Sequence, residues 1–250
     1  MTRFKDRLIK GARLRGLWQS LGTAYTAEIC ARAGFDWLLF DGEHAPNTVP
    51  SLLAQLQAAA PFSATPIART PDDTPSLIKQ YLDIGFSTLL VPMVESAEQA
   101  KRIVAATRFP PRGIRGVASA VSRASGFGAQ ADYLANAHET ITLILQIESR
   151  AGLEAVDEIA AVAGVDALFI GPADLAASLG HLGNPRHEEV QKAIDTAFKR
   201  IDIAGKPAGI FALSAEDAKQ RFEQGFSFAA VGTDIGLLTA GAKNLLEQTN

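Results

Sequence analysis

The chain has 250 residues, 47% of them apolar and 20% charged, and this composition is typical of a globular protein rather than a disordered one. Its 24 Lys and Arg residues nearly balance its 27 Asp and Glu residues, so neither nucleic acid nor a membrane surface is an expected partner. Its apolar stretches end well before the roughly 20 residues that a membrane helix needs. Residues 1–10 are charged and lack the apolar core of a signal peptide, so no secretion is expected. The balanced charge leaves small molecules or copies of the chain as the expected partners. The single cysteine, Cys30, excludes an internal disulfide and favours a cytoplasmic setting.

Short apolar runs alternate with helical patterns from one end of the chain to the other, which predicts repeated βα units. The eight predicted strands are Arg15–Gln19, Trp37–Asp41, Pro66–Arg69, Thr88–Val94, Ile141–Glu148, Ala167–Ile170, Ala208–Ala212 and Phe228–Val231. Eight units in a chain of this length match one (β/α)8 TIM barrel of class α/β, so residues 1–250 are expected to form a single domain behind an N-terminal capping helix. An open doubly wound sheet is the alternative, disfavoured because no Gly-x-Gly-x-x-Gly follows the first strand.

Local signals mark where the helices begin and end. Ser96 and Ser214 are predicted to cap two helices, and five glycines, among them Gly85 and Gly225, are predicted to end helices in a left-handed conformation. The longest segment without periodicity, residues 109–129, carries three arginines and several glycines and prolines. We interpret it as a lid or a subunit contact rather than a passive connector.

Polar side chains follow four of the predicted strands, at the barrel end where catalytic groups are found. They are Asp41-Gly42-Glu43-His44 after the second strand, Arg69 after the third, Gln146-Ile147-Glu148 at the fifth and Gly171-Pro172-Ala173-Asp174 after the sixth. The beginnings of the same strands carry no comparable set. The sequence therefore predicts that acids, an arginine, an amide and a histidine meet at one mouth.

Each of these side chains also has a structural interpretation. Arg69 could neutralise a buried carboxylate, and Glu148 and Asp174 could be helix N-caps. His44 could be an ordinary polar residue in a turn. The other three histidines, His138, His181 and His187, have no acid beside them at a strand end and are interpreted as structural.

Two carboxylates at neighbouring strand ends, with no cysteine ligand available, favour a hard divalent ion such as Mg2+ or Mn2+. With so few protein ligands, water or substrate would complete the coordination shell, as in a catalytic site. The backbone N–H groups of Ala173 and Asp174 would form a small site for a substrate carboxylate. A Schiff-base mechanism would need an inward-facing lysine on a strand, and the sequence offers none.

Taken together, these motifs resemble the HpcH/HpaI family of metal-dependent pyruvate aldolases, in particular its 4-hydroxy-2-oxoheptanedioate and hydroxy-ketoacid aldolase branch. The resemblance runs from about Lys5 to the end of the chain and keeps the order of the motifs. Five segments carry it: the Asp41–His44 turn, Arg69, the Pro110–Gly116 loop, Gln146–Glu148 and Gly171–Leu175.

The resemblance implies a role for each site residue. Glu148 and Asp174 would bind Mg2+, Mn2+ or Co2+, no organic cofactor being needed, and Arg69 would face the keto oxygen of pyruvate. His44 would transfer a proton, oriented by Asp41 or by Asp83 of a neighbouring subunit. The residues implied to line the substrate are Trp18, Arg69, Gln146, Gly171, Pro172, Ala173, Asp174 and Phe211.

The implied reaction is the reversible cleavage of 4-hydroxy-2-oxo acids to pyruvate and an aldehyde through a metal-bound enolate, in a cytoplasmic enzyme of aromatic catabolism. The implied assembly is a homo-hexamer, a trimer of dimers that exchange C-terminal helices. The apolar face of the last segment, from Leu237 to Leu246, is compatible with exchange and with covering its own barrel. A citrate-lyase-β-like enzyme acting on acyl-CoA and a non-catalytic barrel that binds an oxo acid are the alternatives.

Overall fold

The computed structural model describes residues 3–249, in which eight parallel strands close into a barrel in the order of the chain. The strands are β1 (Leu14–Gln19), β2 (Trp37–Asp41), β3 (Thr65–Arg69), β4 (Thr88–Val91), β5 (Thr142–Ile147), β6 (Ala167–Ile170), β7 (Ala208–Phe211) and β8 (Phe228–Thr233). All eight overlap the predicted strands, and β1 pairs with β8 to complete the ring. The predicted (β/α)8 barrel is therefore confirmed.

The described helices surround this barrel. They are α1 (Phe4–Ile9), α2 (Ala24–Arg32), α3 (Val49–Ala59), α4 (Pro75–Asp83), α5 (Ala97–Thr107), α6 (Tyr133–Thr140), α7 (Arg150–Glu154), α8 (Val156–Ala161), α9 (Pro172–Ser178), α10 (Glu188–Ile203), α11 (Ala215–Gln224) and α12 (Asp234–Glu247). The Ser96 and Ser214 side chains accept the predicted capping hydrogen bonds at α5 and α11, and Gly225 ends α11 with φ 114°. Across residues 3–249, every helix falls short of the length and hydropathy that crossing a membrane requires.

Large aromatic side chains fill the inside of the barrel. The Trp37 indole occupies space beside Gly16, where any Cβ atom would overlap it. Helix α1 closes the end of the barrel at which the strands begin, since the Phe4 ring packs edge-on against Phe228 with centroids 5.5 Å apart. The predicted N-terminal capping helix is thus present, and the other end of the barrel is left for the polar side chains.

Residues 109–129 are attached at the end of the barrel opposite these polar side chains. Arg115 donates to Asp83 at 2.6 Å and to the Tyr133 hydroxyl at 3.0 Å, and Arg123 donates to the Ile84 carbonyl at 3.0 Å. Both Asp83 and Ile84 lie at the C-terminal end of α4, which runs antiparallel to the strands. The segment is therefore not a lid over the mouth, and the subunit contact stays a prediction.

Helix α12 begins at the barrel and leaves it. The Asp234 carboxylate accepts the backbone N–H groups of Ser20 and Leu21 at 2.9 and 3.0 Å, but every later residue of the helix is exposed. Its large exposed apolar side chains are Ile235, Leu237, Leu238, Leu245 and Leu246. This face therefore does not cover its own barrel, and contact with another chain stays a prediction.

Candidate active site

Side chains alternate between the two faces of a strand, and this alternation brings the predicted site residues together. In β2 the buried Trp37 and Leu39 belong to the cluster inside the barrel, so Asp41, two residues further on, also points inward. The same spacing places Arg69 after Ile67 in β3, Gln146 and Glu148 after Ile144 in β5, and Gly171 after Phe169 in β6. The apolar interior therefore becomes polar at the mouth.

Asp41 and Arg69 form a buried ion pair at adjacent strand ends. Arg69 donates Nε–H to Oδ1 at 2.9 Å and Nη2–H to Oδ2 at 2.7 Å, and the Trp18 indole donates to Oδ2 at 3.1 Å. The Arg69 guanidinium also lies 5.0 Å from the centre of the Trp18 ring. Burial alone would raise the pKa of Asp41, but hydrogen bonds and charge from Arg69 outweigh it and lower that pKa. The pair is charged and its geometry is fixed.

Glu43 is a functional candidate within the predicted Asp41–His44 turn, and the sequence pattern indicates no separate role for it. Its Oε2 lies 2.6 Å from Arg69 Nη1, and its backbone N–H donates to Asp41 at 3.0 Å. Burial raises the pKa of the Glu43 carboxyl. The sequence does contain a signal for Glu43, because this residue continues the two-residue alternation of Trp37, Leu39 and Asp41. Strand β2 ends at Asp41, however, so the alternation was not extended into the turn.

Glu148 lies at the centre of the mouth and is 2% exposed. Its Oε1 accepts the Met93 backbone N–H at 2.9 Å, and its Oε2 accepts from the Gln146 amide. Burial, joined by the charges of Asp174 and Glu43, raises the pKa of Glu148 to about 7 despite the Met93 hydrogen bond. This carboxylate therefore holds its charge at neutral pH only at a substantial energetic cost.

The predicted carboxylate site begins directly after β6. Gly171 and Pro172 are buried, and Ala173 and Asp174 lie exposed in the first turn of α9. Their backbone N–H groups precede the first hydrogen bond of that helix, which Leu175 donates to Gly171. A Cβ at Gly171 would overlap the Glu148 carboxylate and the Gln146 amide, so these groups approach one another only because residue 171 is glycine.

Two of the predicted catalytic residues are not buried in this cluster: His44 lies at its exposed edge and Asp83 lies far from it. The His44 side chain is 67% exposed and its Nε2 lies 3.9 Å from Glu43, while its backbone N–H donates to Asp41 at 3.3 Å. Asp41 is occupied by Arg69 and Trp18 and does not orient the His44 ring in this chain. Asp83 lies at the opposite end of the barrel, bound to Arg115, so it reaches a His44 only from another chain.

The walls of the mouth are aromatic. Phe211, the last residue of β7, is partly buried with its ring 5.2 Å from that of Trp18. Trp18 and Phe211 thus form an aromatic contact at the mouth, and their contact with a substrate stays a prediction.

The donors at the mouth fit a hard divalent cation. The carboxylates of Glu43, Glu148 and Asp174 lie close enough for their charges to repel one another. Arg69, which acts on Glu43 and Glu148, already has its charge balanced by Asp41. The Gln146 Oε1 is buried, and among the described residues it has no hydrogen-bond partner. Oxygen donors and unbalanced negative charge are what Mg2+ and Mn2+ prefer. Burial is the main cause of the raised pKa values of Glu43 and Glu148, and a bound cation would offset the cost of both charges.

Known proteins share both the sequence and the fold. A family model described as HpcH/HpaI aldolase/citrate lyase matches residues 14–240. A hydroxypyruvate/pyruvate aldolase of Deinococcus radiodurans is 56% identical over 97% of this chain and 87% of its own length. A 4-hydroxy-2-oxo-heptane-1,7-dioate aldolase of Klebsiella pneumoniae is 51% identical over 97% of this chain and 91% of its own. The crystal structure of an HpcH/HpaI aldolase/citrate lyase family protein from Burkholderia cenocepacia, 42% identical, superimposes with a TM-score of 0.95 over 98% of both chains.

Proposed function

The chain belongs to the HpcH/HpaI aldolase/citrate lyase family and is an aldolase, and from that premise we propose that it cleaves 4-hydroxy-2-oxo acids reversibly to pyruvate and an aldehyde. The observation that carries the proposal is the Arg69 guanidinium, held by Asp41 and Glu43 beside the buried Glu148. A fixed cation next to clustered carboxylates suits a reaction in which negative charge develops on a substrate oxygen.

We propose that Glu148 and Asp174 hold the divalent ion, Mg2+, Mn2+ or Co2+, and that it supplies a Lewis acid for the oxygens of the oxo acid when bound. Glu148 is oriented for this by the Met93 N–H and the Gln146 amide. The backbone N–H groups of Ala173 and Asp174, at the start of α9, would receive the substrate carboxylate. No organic cofactor enters the proposal.

Cleavage needs a base at the C4 hydroxyl and a place for electrons at C2. The base removes the hydroxyl proton, the C3–C4 bond breaks to release the aldehyde, and the bonding electrons move onto the C2 oxygen as an enolate. Arg69 stabilises that oxygen, an interaction typically worth about 3 kcal/mol or more. Protonation at C3 then gives pyruvate, and we assign the proton transfers to His44.

The substrate is proposed to be an acid of the 4-hydroxy-2-oxoheptanedioate type. The support is the name of the Klebsiella pneumoniae relative, whereas the Deinococcus radiodurans relative is named for hydroxypyruvate and pyruvate. Trp18 and Phe211 would contact the chain beyond C4. Pyruvate release from a series of 4-hydroxy-2-oxo acids of increasing length tests this choice, and a preference for the shortest member would contradict it.

Chelation tests the reaction class. Protein treated with EDTA should release no pyruvate in a lactate-dehydrogenase-coupled assay, and added Mn2+ should restore the rate. Borohydride added with pyruvate should leave the protein mass unchanged, because no imine forms. Activity that is indifferent to EDTA, together with a trapped imine, would contradict the proposal.

A substitution tests the role of His44. Replacing it with Asn should slow cleavage on the order of 100-fold, the usual contribution of a positioned base. The matched control is His138→Asn, because His138 lies on α6, which leads into the opposite end of the barrel. A His44→Asn rate within twofold of the wild-type rate would remove His44 from the proton-transfer role.

We further propose a homo-hexamer built as a trimer of dimers that exchange α12. Its support is the exposed apolar face of that helix, which its own barrel leaves uncovered. Light scattering on the purified protein should give the mass of six chains, and Leu237→Glu combined with Leu238→Glu should lower it. A monomeric mass for the unmodified protein would contradict the proposal.

A further inference from the structure

The connection between α9 and α10 carries a cluster of side chains that the aldol reaction does not use. His181 and His187 lie in this connection, and Glu189 lies in the first turn of α10. Each offers one ligand atom, and the three atoms lie within 4.8 Å of one another. Within residues 3–249, this is the one group of three His, Cys, Asp or Glu ligands that lie so close together.

The backbone holds the two histidines in place. His181 donates its N–H to the Ala176 carbonyl at 2.7 Å, which ties the connection to the end of α9. Two successive turns follow, closed by Asn184 N–H to His181 O at 2.9 Å and by His187 N–H to Asn184 O at 3.1 Å. The two imidazole rings are thereby stacked, with centroids 3.5 Å apart and planes 15° from parallel.

Both histidines present a nitrogen towards Glu189. His187 Nδ1 accepts the backbone N–H of Glu189 at 3.2 Å, so this nitrogen presents a lone pair. His181 Nε2 lies 2.7 Å from Glu189 Oε2 and shares a proton with it. The cluster therefore offers one imidazole lone pair, which the Glu189 N–H now occupies, and one replaceable proton.

The donor set determines which ion would bind. Two imidazole nitrogens and one carboxylate suit Zn2+, Ni2+ or Cu2+, whereas Mg2+ prefers the all-oxygen donors of the barrel mouth. Zn–N bonds are about 2.0 to 2.1 Å long, so the ligand atoms must draw closer than they are now. The Glu189 side chain is 55% exposed and free to make that adjustment.

We propose that His181, His187 and Glu189 form a second metal site, selective for a transition-metal dication and separate from the Glu148 site. The ion displaces the proton between His181 and Glu189, which is released to solvent, and takes the His187 Nδ1 lone pair in place of the Glu189 N–H. Water completes its coordination. Binding links the end of α9 to the beginning of α10, and α9 also carries Asp174 at the mouth.

Zinc titration of tag-free protein tests this site. The background is Glu148→Gln, which removes a ligand from the barrel mouth, and the protein is stripped with EDTA before calorimetry with Zn2+ alone. One Zn2+ per chain should bind. Adding His181→Ala or His187→Ala should weaken binding on the order of 100-fold, since even outer-shell partners of metal ligands contribute 10- to 100-fold. Adding His138→Ala, the matched control, should leave it unchanged.

Circular dichroism without metal shows whether each variant is folded. For a variant that fails this check, Co2+ absorption spectra of the Glu148→Gln protein provide the second measurement, since nitrogen ligands intensify and shift the visible bands. Zn2+ binding that survives both histidine substitutions, or the absence of binding at millimolar Zn2+, would overturn the proposal. The outcome is independent of the aldol reaction, because neither readout uses turnover.

Discussion

Glu148 should make the metal-free protein less stable at alkaline pH, and replacing it with Gln should remove this effect. The carboxyl is 2% exposed, and burial with nearby negative charge raises its pKa from 4.5 to about 7. Between these values the folded chain binds more protons than the unfolded chain, so stability falls as pH rises. The shift corresponds to about 3 kcal/mol above pH 7 and about 1 kcal/mol at pH 5.

The Glu148→Gln substitution keeps the shape of the side chain. The amide oxygen that it introduces can still accept the Met93 N–H, and rotation of the Gln146 amide would turn its unpaired Oε1 towards the new donor. In EDTA at pH 8.5 we expect Glu148→Gln to raise the unfolding temperature by about 6 to 12 °C, using 2 to 4 °C per kcal/mol for a domain of this size. The gain at pH 5 should be about a third of that.

Thermal unfolding followed by circular dichroism at both pH values measures the difference. The control is Glu223→Gln, which removes one charge from the exposed surface of α11 and should change stability by less than about 0.5 kcal/mol. Mn2+ should stabilise the wild-type protein and not the Glu148→Gln variant. A variant that is less stable than wild type at pH 8.5, or equally stabilised at both pH values, would refute the reasoning.

Three further substitutions test the packing of the mouth. Gly171→Ala would press a methyl group against the Glu148 carboxylate, so we expect loss of Mn2+-dependent turnover and a destabilisation of about 1 to 3 kcal/mol by thermal unfolding. Asp41→Asn would leave Arg69 buried with one balancing carboxylate fewer and should destabilise the fold by about 3 to 5 kcal/mol in urea titrations. Because Arg69 lowers the pKa of Asp41, this pair contributes fully above pH 3.8, and its contribution should disappear as the pH falls through that lowered pKa. Trp18→Phe keeps a ring over Arg69 but loses the hydrogen bond to Asp41. We expect the free energy of unfolding to fall by about 1 kcal/mol and the relative change in kcat to be larger than the change in stability. A variant whose free energy of unfolding is unchanged would contradict the packing described for that residue. Unchanged turnover of the Gly171 or Trp18 variant would contradict the place of that residue at the mouth.

The barrel and most of the mouth could be predicted because they follow from local patterns. Apolar runs mark the strands, and the two-residue alternation along each strand places Asp41, Arg69 and Glu148 on the inward face. The Arg115–Asp83 pair could not be predicted, because it joins residues 32 positions apart across an irregular loop. The sequence could not show what the apolar face of α12 packs against either. The same apolar pattern occurs in a helix that packs on its own barrel and in one that packs on another chain.

The histidines show a different limit of sequence reasoning. His181 and His187 were interpreted as structural because neither stands beside an acid at a strand end. In the structure Glu189 reaches both, because two turns fold the connection back onto the first turn of α10. Ligand spacing in a loop depends on those turns, and composition alone does not specify them.

The separation of His44 from Asp83 leads to one more prediction. They lie at opposite ends of a single chain, so a pairing between them requires two chains. Each such site would combine His44 of one chain with Asp83 of another. His44→Asn and Asp83→Asn proteins should each be nearly inactive. After they are unfolded and refolded together, about one quarter of the sites should combine an intact His44 with an intact Asp83 in random assembly. Refolding each variant alone is the control, and a mixture no more active than its components would show that the two residues do not act together across an interface.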